Sequence, residues 1–142
     1  MIRPPSIVRF DYCYLGALLV GAVNAALNWS RYAAMPQVRD AEAMIGTWYL
    51  PTLTAIGYLI PLLLWYFAAR RASVVAKWIV VVLFALGIVG LLIALAMGTM
   101  ASGLGGVLSV VAVVLNAIAV WSLFQPDARE WFGEAVHGED IA

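Results

Sequence analysis

The stretch Arg70-Arg71-Ala72-Ser73-Val74-Val75-Ala76-Lys77 carries three positive charges and separates two long apolar segments. One segment runs from Thr47 to Ala69 and the other from Trp78 to Gly98, and neither contains an acidic or basic residue. At about 1.5 Å of rise per residue, each segment as a helix can cross the roughly 30 Å hydrocarbon layer of a bilayer. The pattern therefore predicts a pair of membrane-spanning helices joined by a basic hinge.

The composition favours a membrane location for the whole chain. Of its 142 residues, 65% are hydrophobic and 11% are charged, whereas soluble domains have about 45–50% apolar and about 25% charged residues. A chain of this size cannot bury such an apolar surplus in a water-soluble core. The formal net charge is zero, so the overall balance predicts no nucleic-acid partner.

Two further apolar segments bring the predicted number of spans to four. The predicted spans cover about residues 12–29, 47–69, 78–98 and 107–124. A short amphipathic helix over about 126–136 is predicted to lie on the membrane surface, followed by a mobile tail. The predicted fold is an all-α membrane protein, an up-down-up-down bundle of four transmembrane helices plus this interfacial helix, in one membrane domain (1–142).

The N-terminal segment and the distribution of charge predict how the chain enters the membrane. Arg3 and Arg9 precede the first apolar segment as in a signal peptide, but we expect this segment to be retained as a span. Pro4-Pro5 prevents an earlier helix, and Ser6 is the predicted N-cap. Six cations share the side of the termini and the hinge, against two on the other side. The positive-inside rule therefore predicts cytoplasmic N and C termini.

Small and polar residues share one face of several predicted spans. In the first span they recur every three or four residues, which stacks them on one side of a helix. Such a face lets another helix approach closely, and asparagine can hydrogen-bond across the contact. We expect these side chains either to pack helices together or to line an uncharged polar cavity. They are Ala17, Gly21, Asn24 and Asn28, then Thr54, Tyr58 and Pro61, then Gly90 and Ala94, and finally Ser109 and Asn116.

Two of these residues carry more specific expectations. Pro61 lies inside the second span, where it removes a backbone hydrogen bond and should bend the helix. Asn116 lies near the middle of the fourth span, where an unpaired amide is costly in hydrocarbon. We expect it to face the first span near Asn24.

Residues for catalysis or cofactor binding are not evident. The only histidine, His137, lies in the predicted tail, and the single Cys13 cannot form a CxxC pair. Asp11 lies at the edge of the first span, within reach of Arg9, and no predicted span carries a nucleophile with a basic partner. The sequence therefore predicts no enzyme activity, no cofactor and no metal site.

The basic hinge between uncharged spans, followed after the fourth span by Pro126-Asp127-Ala128-Arg129-Glu130-Trp131-Phe132, resembles a class of small four-span inner-membrane proteins from proteobacteria. These proteins have no assigned activity, and the resemblance covers most of the chain and implies no catalytic residues.

Two functions remain open from the residues. The favoured one is a non-enzymatic accessory or interaction subunit that packs, through its small-residue faces, with itself or with another membrane protein in the bilayer. The alternative is a small transporter or channel for a neutral or zwitterionic solute or lipid, with an uncharged polar cavity. A cavity that reaches Asn116 from the outer face favours the transporter, and a filled bundle favours the subunit.

Overall fold

The computed structural model describes residues 2–100 and 102–134, and this part of the chain forms seven helices. The helices are α1 (Pro5–Leu27), α2 (Trp29–Ala33), α3 (Pro36–Ile45), α4 (Tyr49–Arg71), α5 (Val74–Ala96), α6 (Leu104–Ser122) and α7 (Pro126–Trp131). Four of them, α1, α4, α5 and α6, are long and apolar enough to cross a membrane. The predicted all-α bundle of four membrane helices with a short C-terminal helix is confirmed.

The turn between α4 and α5 is much shorter than the basic stretch that contains it. Both helices extend into that stretch, so only Ala72 and Ser73 lie between them. Ala72 adopts the left-handed conformation, with φ 50° and ψ 36°. The Ser73 hydroxyl accepts a hydrogen bond from the Ala76 backbone N–H and caps α5. So short a turn makes α4 and α5 antiparallel neighbours.

Contacts between the other spans show the same alternation of direction. Asp11 of α1 bonds Trp65 of α4, and further along α1 Tyr14 bonds Pro61, which comes earlier in α4. α1 packs most extensively on α6, and α5 packs on α4 and α6. The spans therefore form a ring in the order α1, α4, α5, α6, and α5 stands apart from α1.

The buried core lies at one end of this ring. That end, called the hinge end, holds the start of α1, the Ala72–Ser73 turn and α7. The core residues are Ile7, Phe10, Tyr14, Leu64, Ala68, Ala69, Ala76, Val80, Ala119, Leu123, Ala128 and Phe132. The opposite end, called the far end, holds α2, α3 and the α5–α6 connection. Of the described residues near it, Leu50 and Gly106 are the buried ones, so the spans pack closely at the hinge end and separate towards the far end.

The start of α1 differs from the prediction by one residue. Pro4 is the N-cap and Pro5 is the first helical residue, so Ser6 lies inside the first turn and its prediction as the cap is wrong. Proline suits the first helical position, because its missing N–H would have no partner there and its φ is already helical.

The C-terminal helix packs against the bundle rather than contacting lipid headgroups alone. It covers six residues, and its Ala128 and the following Phe132 are buried in the core cluster. The predicted continuation of this helix to about 136, the predicted contact of Ala135, and His137 with the acidic tail lie outside the described residues.

Candidate functional site

A hydrogen-bonded polar seam joins α1 to α6 in the far half of the bundle. Asn24 Nδ2 donates to Ser109 Oγ at 3.2 Å, and Ser109 Oγ donates to the Gly105 carbonyl at 2.9 Å. Asn28 Nδ2 donates to the Asn24 carbonyl at 2.9 Å and to Asn24 Oδ1 at 2.8 Å. The structure thus brings these three predicted site residues together. Because these side chains bond one another, the seam holds α1 and α6 together.

Asn116 lies elsewhere, and its predicted pairing with Asn24 is wrong. α6 does face α1, but Ser109, two turns before Asn116, lies opposite Asn24. The contact between Gly16 and Leu115 is consistent with this register, since a Cβ on Gly16 would lie 3.7 Å from the Leu115 side chain. The level of Asn116 on α1 is therefore that of Tyr14 and not that of Asn24.

A cavity of about 220 Å³ lies between all four spans at this level. Its polar groups are the Tyr14 hydroxyl, which donates to the Pro61 carbonyl at 3.1 Å, and the Asn116 amide. Among the described residues, no side-chain hydrogen bond engages Asn116. Gly87 widens the cavity, because no atom lies within 4 Å of the position its Cβ would take. The remaining lining residues are Leu18, Val80, Leu83, Phe84, Ile88 and Val113.

A second cavity, of about 200 Å³, lies closer to the far end between α5, α6 and the α1–α2 corner. Its lining residues are Asn28, Arg31, Tyr32, Met35, Leu91, Ala94, Thr99, Met100 and Ser109. Ile88 lines the first cavity and Leu91, three residues on, lines the second. The two cavities therefore follow each other along one side of α5, and this space is called the α5 gap.

The small-residue face predicted for the third span borders open space instead of a neighbouring helix. Ala94 lines the second cavity, and Gly90 is exposed with no atom within 4 Å of its Cβ position. Small side chains allow close approach only when a partner is present. Among the described residues α5 has no such partner on that side, and the gap is the result.

A third cavity, of about 450 Å³, separates α4 from α1, α2 and α3 at the far end. Gly21, Thr54 and Tyr58 are among its lining residues. The Thr54 hydroxyl donates to the Leu50 carbonyl one turn back at 2.9 Å. The Tyr58 hydroxyl packs against Gly21, 3.6 Å from its Cβ position. Ala17 is buried and lines none of these three cavities.

Asp11, the acidic residue of α1, has both carboxylate oxygens bonded at the hinge end. Asp11 Oδ1 accepts a hydrogen bond from Trp65 Nε1 at 2.8 Å, and Oδ2 pairs with Arg3. The expected partner Arg9 instead packs over the Trp121 ring. Asp11 is buried and has both oxygens engaged, so it is not arranged as an open proton-binding site.

The burial of Lys77 was not predicted from the sequence. It counts as a hinge cation in the sequence, yet it is 1% exposed and bonds Glu134 Oε2 at 2.5 Å. Its Nζ lies 4.6 Å from the ring centre of Phe124 and 5.2 Å from that of Phe132, within the range of cation–π attraction. One signal was available: a cation in the first turns of a helix opposes the helix dipole and needs another reason to be there.

Three C-terminal residues, called the clasp, bind the ends of three different spans. Asp127 Oδ2 accepts from the Ser6 backbone N–H of α1 at 3.1 Å, and Glu134 binds Lys77 of α5. Trp131 Nε1 donates to the Ala68 carbonyl, near the end of α4, at 3.4 Å. Since α6 leads directly into this segment, the clasp ties all four spans together at the hinge end.

The contacts with Ser6 also lower the pKa of Asp127. The Ser6 side chain and then the Ser6 backbone N–H lower the pKa of the Asp127 carboxyl, and partial desolvation opposes them. The buried Ser6 hydroxyl has no hydrogen-bond partner among the described residues. We therefore attribute the lower pKa of Asp127 mainly to the hydrogen bond from the Ser6 backbone N–H.

In residues 2–100 and 102–134, no three His, Cys, Asp or Glu side chains lie close enough together to hold a metal ion. Comparison with known protein families, curated proteins and solved structures gave no match.

Proposed function

We propose that this protein is a small non-enzymatic carrier that binds a neutral or zwitterionic amphiphile between its spans. The observation that carries the proposal is the α5 gap, in which one cavity near the far end and one lined by Asn116 follow each other along α5. Its walls are largely apolar, and Tyr14 and Asn116 place two uncharged polar groups at its inner end. Apolar pockets with a few polar groups are the usual form of small-molecule sites.

The two ends of the bundle differ in the way that a carrier requires. The far end is open along α5, whereas the core cluster and the clasp close the hinge end. Alternating access needs a site near the bilayer middle that is reached from one side at a time. On this proposal, the described conformation is the state that is open at the far end and closed at the hinge end.

The proposed location is a bacterial inner membrane with both termini in the cytoplasm. The count of six cations at the hinge end against Arg31 and Arg39 at the far end supports this orientation. An active alkaline phosphatase fused to the C terminus, with an inactive one inserted near Pro36, would contradict it.

Transfer of an amphiphile by the purified protein in vesicles tests the carrier. We expect vesicles that contain the full chain to move a fluorescent zwitterionic lipid between leaflets faster than protein-free vesicles. Gly87→Leu fills the inner cavity and should return the rate to the protein-free value.

Ala85→Leu is the matched control, because Ala85 is exposed and does not line the inner cavity. It adds the same side chain to the same helix and should leave transfer unchanged. Equal loss of transfer in both variants, or no transfer by the wild type, would contradict the carrier.

A second function, the interaction subunit favoured by the sequence, is supported by one specific observation. Gly57 and Gly90 are both exposed and have no atom within 4 Å of their Cβ positions, so another helix could approach either of them closely. Chemical crosslinking in native membranes should then give a discrete higher-mass species that Gly90→Leu removes and Ala85→Leu retains. A strictly monomeric pattern in all three proteins would count against this function.

A further inference from the structure

The mouth of the α5 gap carries a cation with no carboxylate partner among the described residues. Arg31 lines the far-end cavity beside Tyr32 and Thr99, and both ion pairs of the described chain lie at the hinge end instead. A guanidinium at the rim of an apolar cavity is suited to an anionic group, above all a phosphate, which it can bind through two N–H groups.

The gap is long enough for one hydrocarbon chain of a lipid. The α5 residues that line it extend from Val80 to Ala94, which is about 21 Å at the helical rise. Half of a bilayer's hydrocarbon layer is about 15 Å. A headgroup at Arg31 would therefore place the end of its chain near Gly87 and Asn116.

The loose packing of α5 on α6 leaves a place for the second chain of the same molecule. α5 packs far less extensively on α6 than α1 does, so a two-chain lipid can insert one chain while the other stays in the bilayer. A soluble anion would leave the apolar walls of Leu83, Phe84 and Leu91 in contact with water, which is unfavourable.

From this arrangement we infer that the ligand of the α5 gap is a phospholipid of the far-end leaflet, with its phosphate on Arg31 and one acyl chain between α5 and the α1–α6 pair. This inference rests on the proposed carrier function for its binding site and names the ligand class. It does not depend on transfer between leaflets.

Photocrosslinking maps both parts of the ligand at once. The full chain is reconstituted in phosphatidylcholine vesicles with a trace of phosphatidylcholine that carries a diazirine near the end of one acyl chain. After irradiation and proteolysis, mass spectrometry should find the label on the α5 and α6 residues around Gly87 and Asn116. A diacylglycerol probe with the same diazirine chain lacks the phosphate and should label these positions about two- to fivefold less, the effect of one exposed ion pair.

Matched variants separate headgroup recognition from chain insertion. Arg31→Gln should lower labelling by phosphatidylcholine about two- to fivefold and leave labelling by diacylglycerol unchanged. Arg39→Gln removes the same charge from the same end, but Arg39 does not line the cavity, so it should have no effect. Gly87→Leu should abolish labelling near Asn116 with both probes, while Gly57→Leu on α4 should not.

Several results would overturn the inference. Equal labelling by the two probes, or no effect of Arg31→Gln, would show that the phosphate is not recognised. Displacement of the probe by oleate at equal concentration would assign the gap to fatty acids, and displacement by excess inorganic phosphate would assign Arg31 to a soluble anion.

Failure of the lipid assignment can be distinguished from failure of the carrier function. Phosphate-dependent labelling without transfer between leaflets would refute the carrier and leave the lipid site in place. Transfer that is equally fast for phosphate-free lipids would refute the lipid assignment and leave the carrier.

Discussion

The backbone N–H of Ser6 donates a hydrogen bond to Oδ2 of Asp127 at 3.1 Å, across 121 residues of sequence. Pro5 has no N–H, and the amides of Ile7 and Val8 both donate to the Pro4 carbonyl. Ser6 therefore carries the only amide of these first helical residues that needs a partner from outside α1. Asp127 supplies it, and its negative charge also suits the positive end of the α1 dipole.

Loss of this contact should destabilise the hinge end measurably. We expect Asp127→Ala to lower the free energy of unfolding by about 0.5–2 kcal/mol, the usual cost of removing an N-terminal cap. Asp127→Asn keeps an acceptor and should cost less. Unfolding by sodium dodecyl sulfate in mixed micelles measures the change, and Glu130→Ala, at an exposed position of the same helix, is the control. An equal effect of Glu130→Ala would refute the cap.

The Asp127 contact also predicts a dependence of stability on pH. Its pKa in the fold lies below the unfolded value of 3.8, so the ionised carboxylate stabilises the fold above that pH. This contribution is lost as the pH falls through the lower folded pKa. The difference in unfolding free energy between wild type and Asp127→Asn should therefore be constant near neutral pH and shrink in the acid range below 3.8. A difference that does not change with pH would contradict this.

Ala72→Gly should stabilise the protein. Ala72 lies in the left-handed region at φ 50°, where an L-residue with a Cβ is disfavoured by about 1–2 kcal/mol and glycine is not. We expect a gain of about 1 kcal/mol, reduced by the greater freedom of glycine in the unfolded chain. The same change in the interior of α3, Ala43→Gly, should instead be destabilising. Destabilisation by both changes would show that the turn is not strained.

The Lys77–Glu134 pair predicts an unequal effect of removing either partner. Glu134→Ala leaves a buried ammonium without its carboxylate, and we expect a loss of about 2–3 kcal/mol, below the ~3–5 kcal/mol of a fully buried pair because Glu134 is 29% exposed. Lys77→Met, which keeps the apolar stem among Phe124 and Phe132, should cost less. The double variant should recover stability relative to Glu134→Ala alone, and additive losses would show that the two residues do not interact.

Replacing Asn24 should destabilise the protein, whereas replacing Asn116 should not. Asn24→Ala removes the hydrogen bond to Ser109 and should cost about 0.6 kcal/mol, and at most about 1.7 kcal/mol. Asn116→Leu replaces an amide that faces a cavity and should leave unfolding unchanged or raise its free energy. Steric trapping or micellar unfolding of the two variants measures both. Equal destabilisation by the two variants would show that Asn116 makes a stabilising contact of its own and would contradict this prediction.

The number of helices long and apolar enough to span a bilayer was evident from the sequence alone, because crossing requires a continuous apolar length that any stretch either has or lacks. Periodicity also indicated which residues share a face, since it relates residues three and four apart. Ser109 and Asn116 share one face of α6 for this reason, and Ser109 does bond α1.

The level at which those faces meet was decided by the tertiary structure. Ser109 and Asn116 are two turns apart on one face, so periodicity cannot tell which of them lies opposite Asn24. In the structure Asn24 bonds Ser109, and Leu115 lies against Gly16. The burial of Lys77, the clasp and the α5 gap likewise depend on how whole helices dock, and contacts between residues distant in sequence leave no local pattern to read.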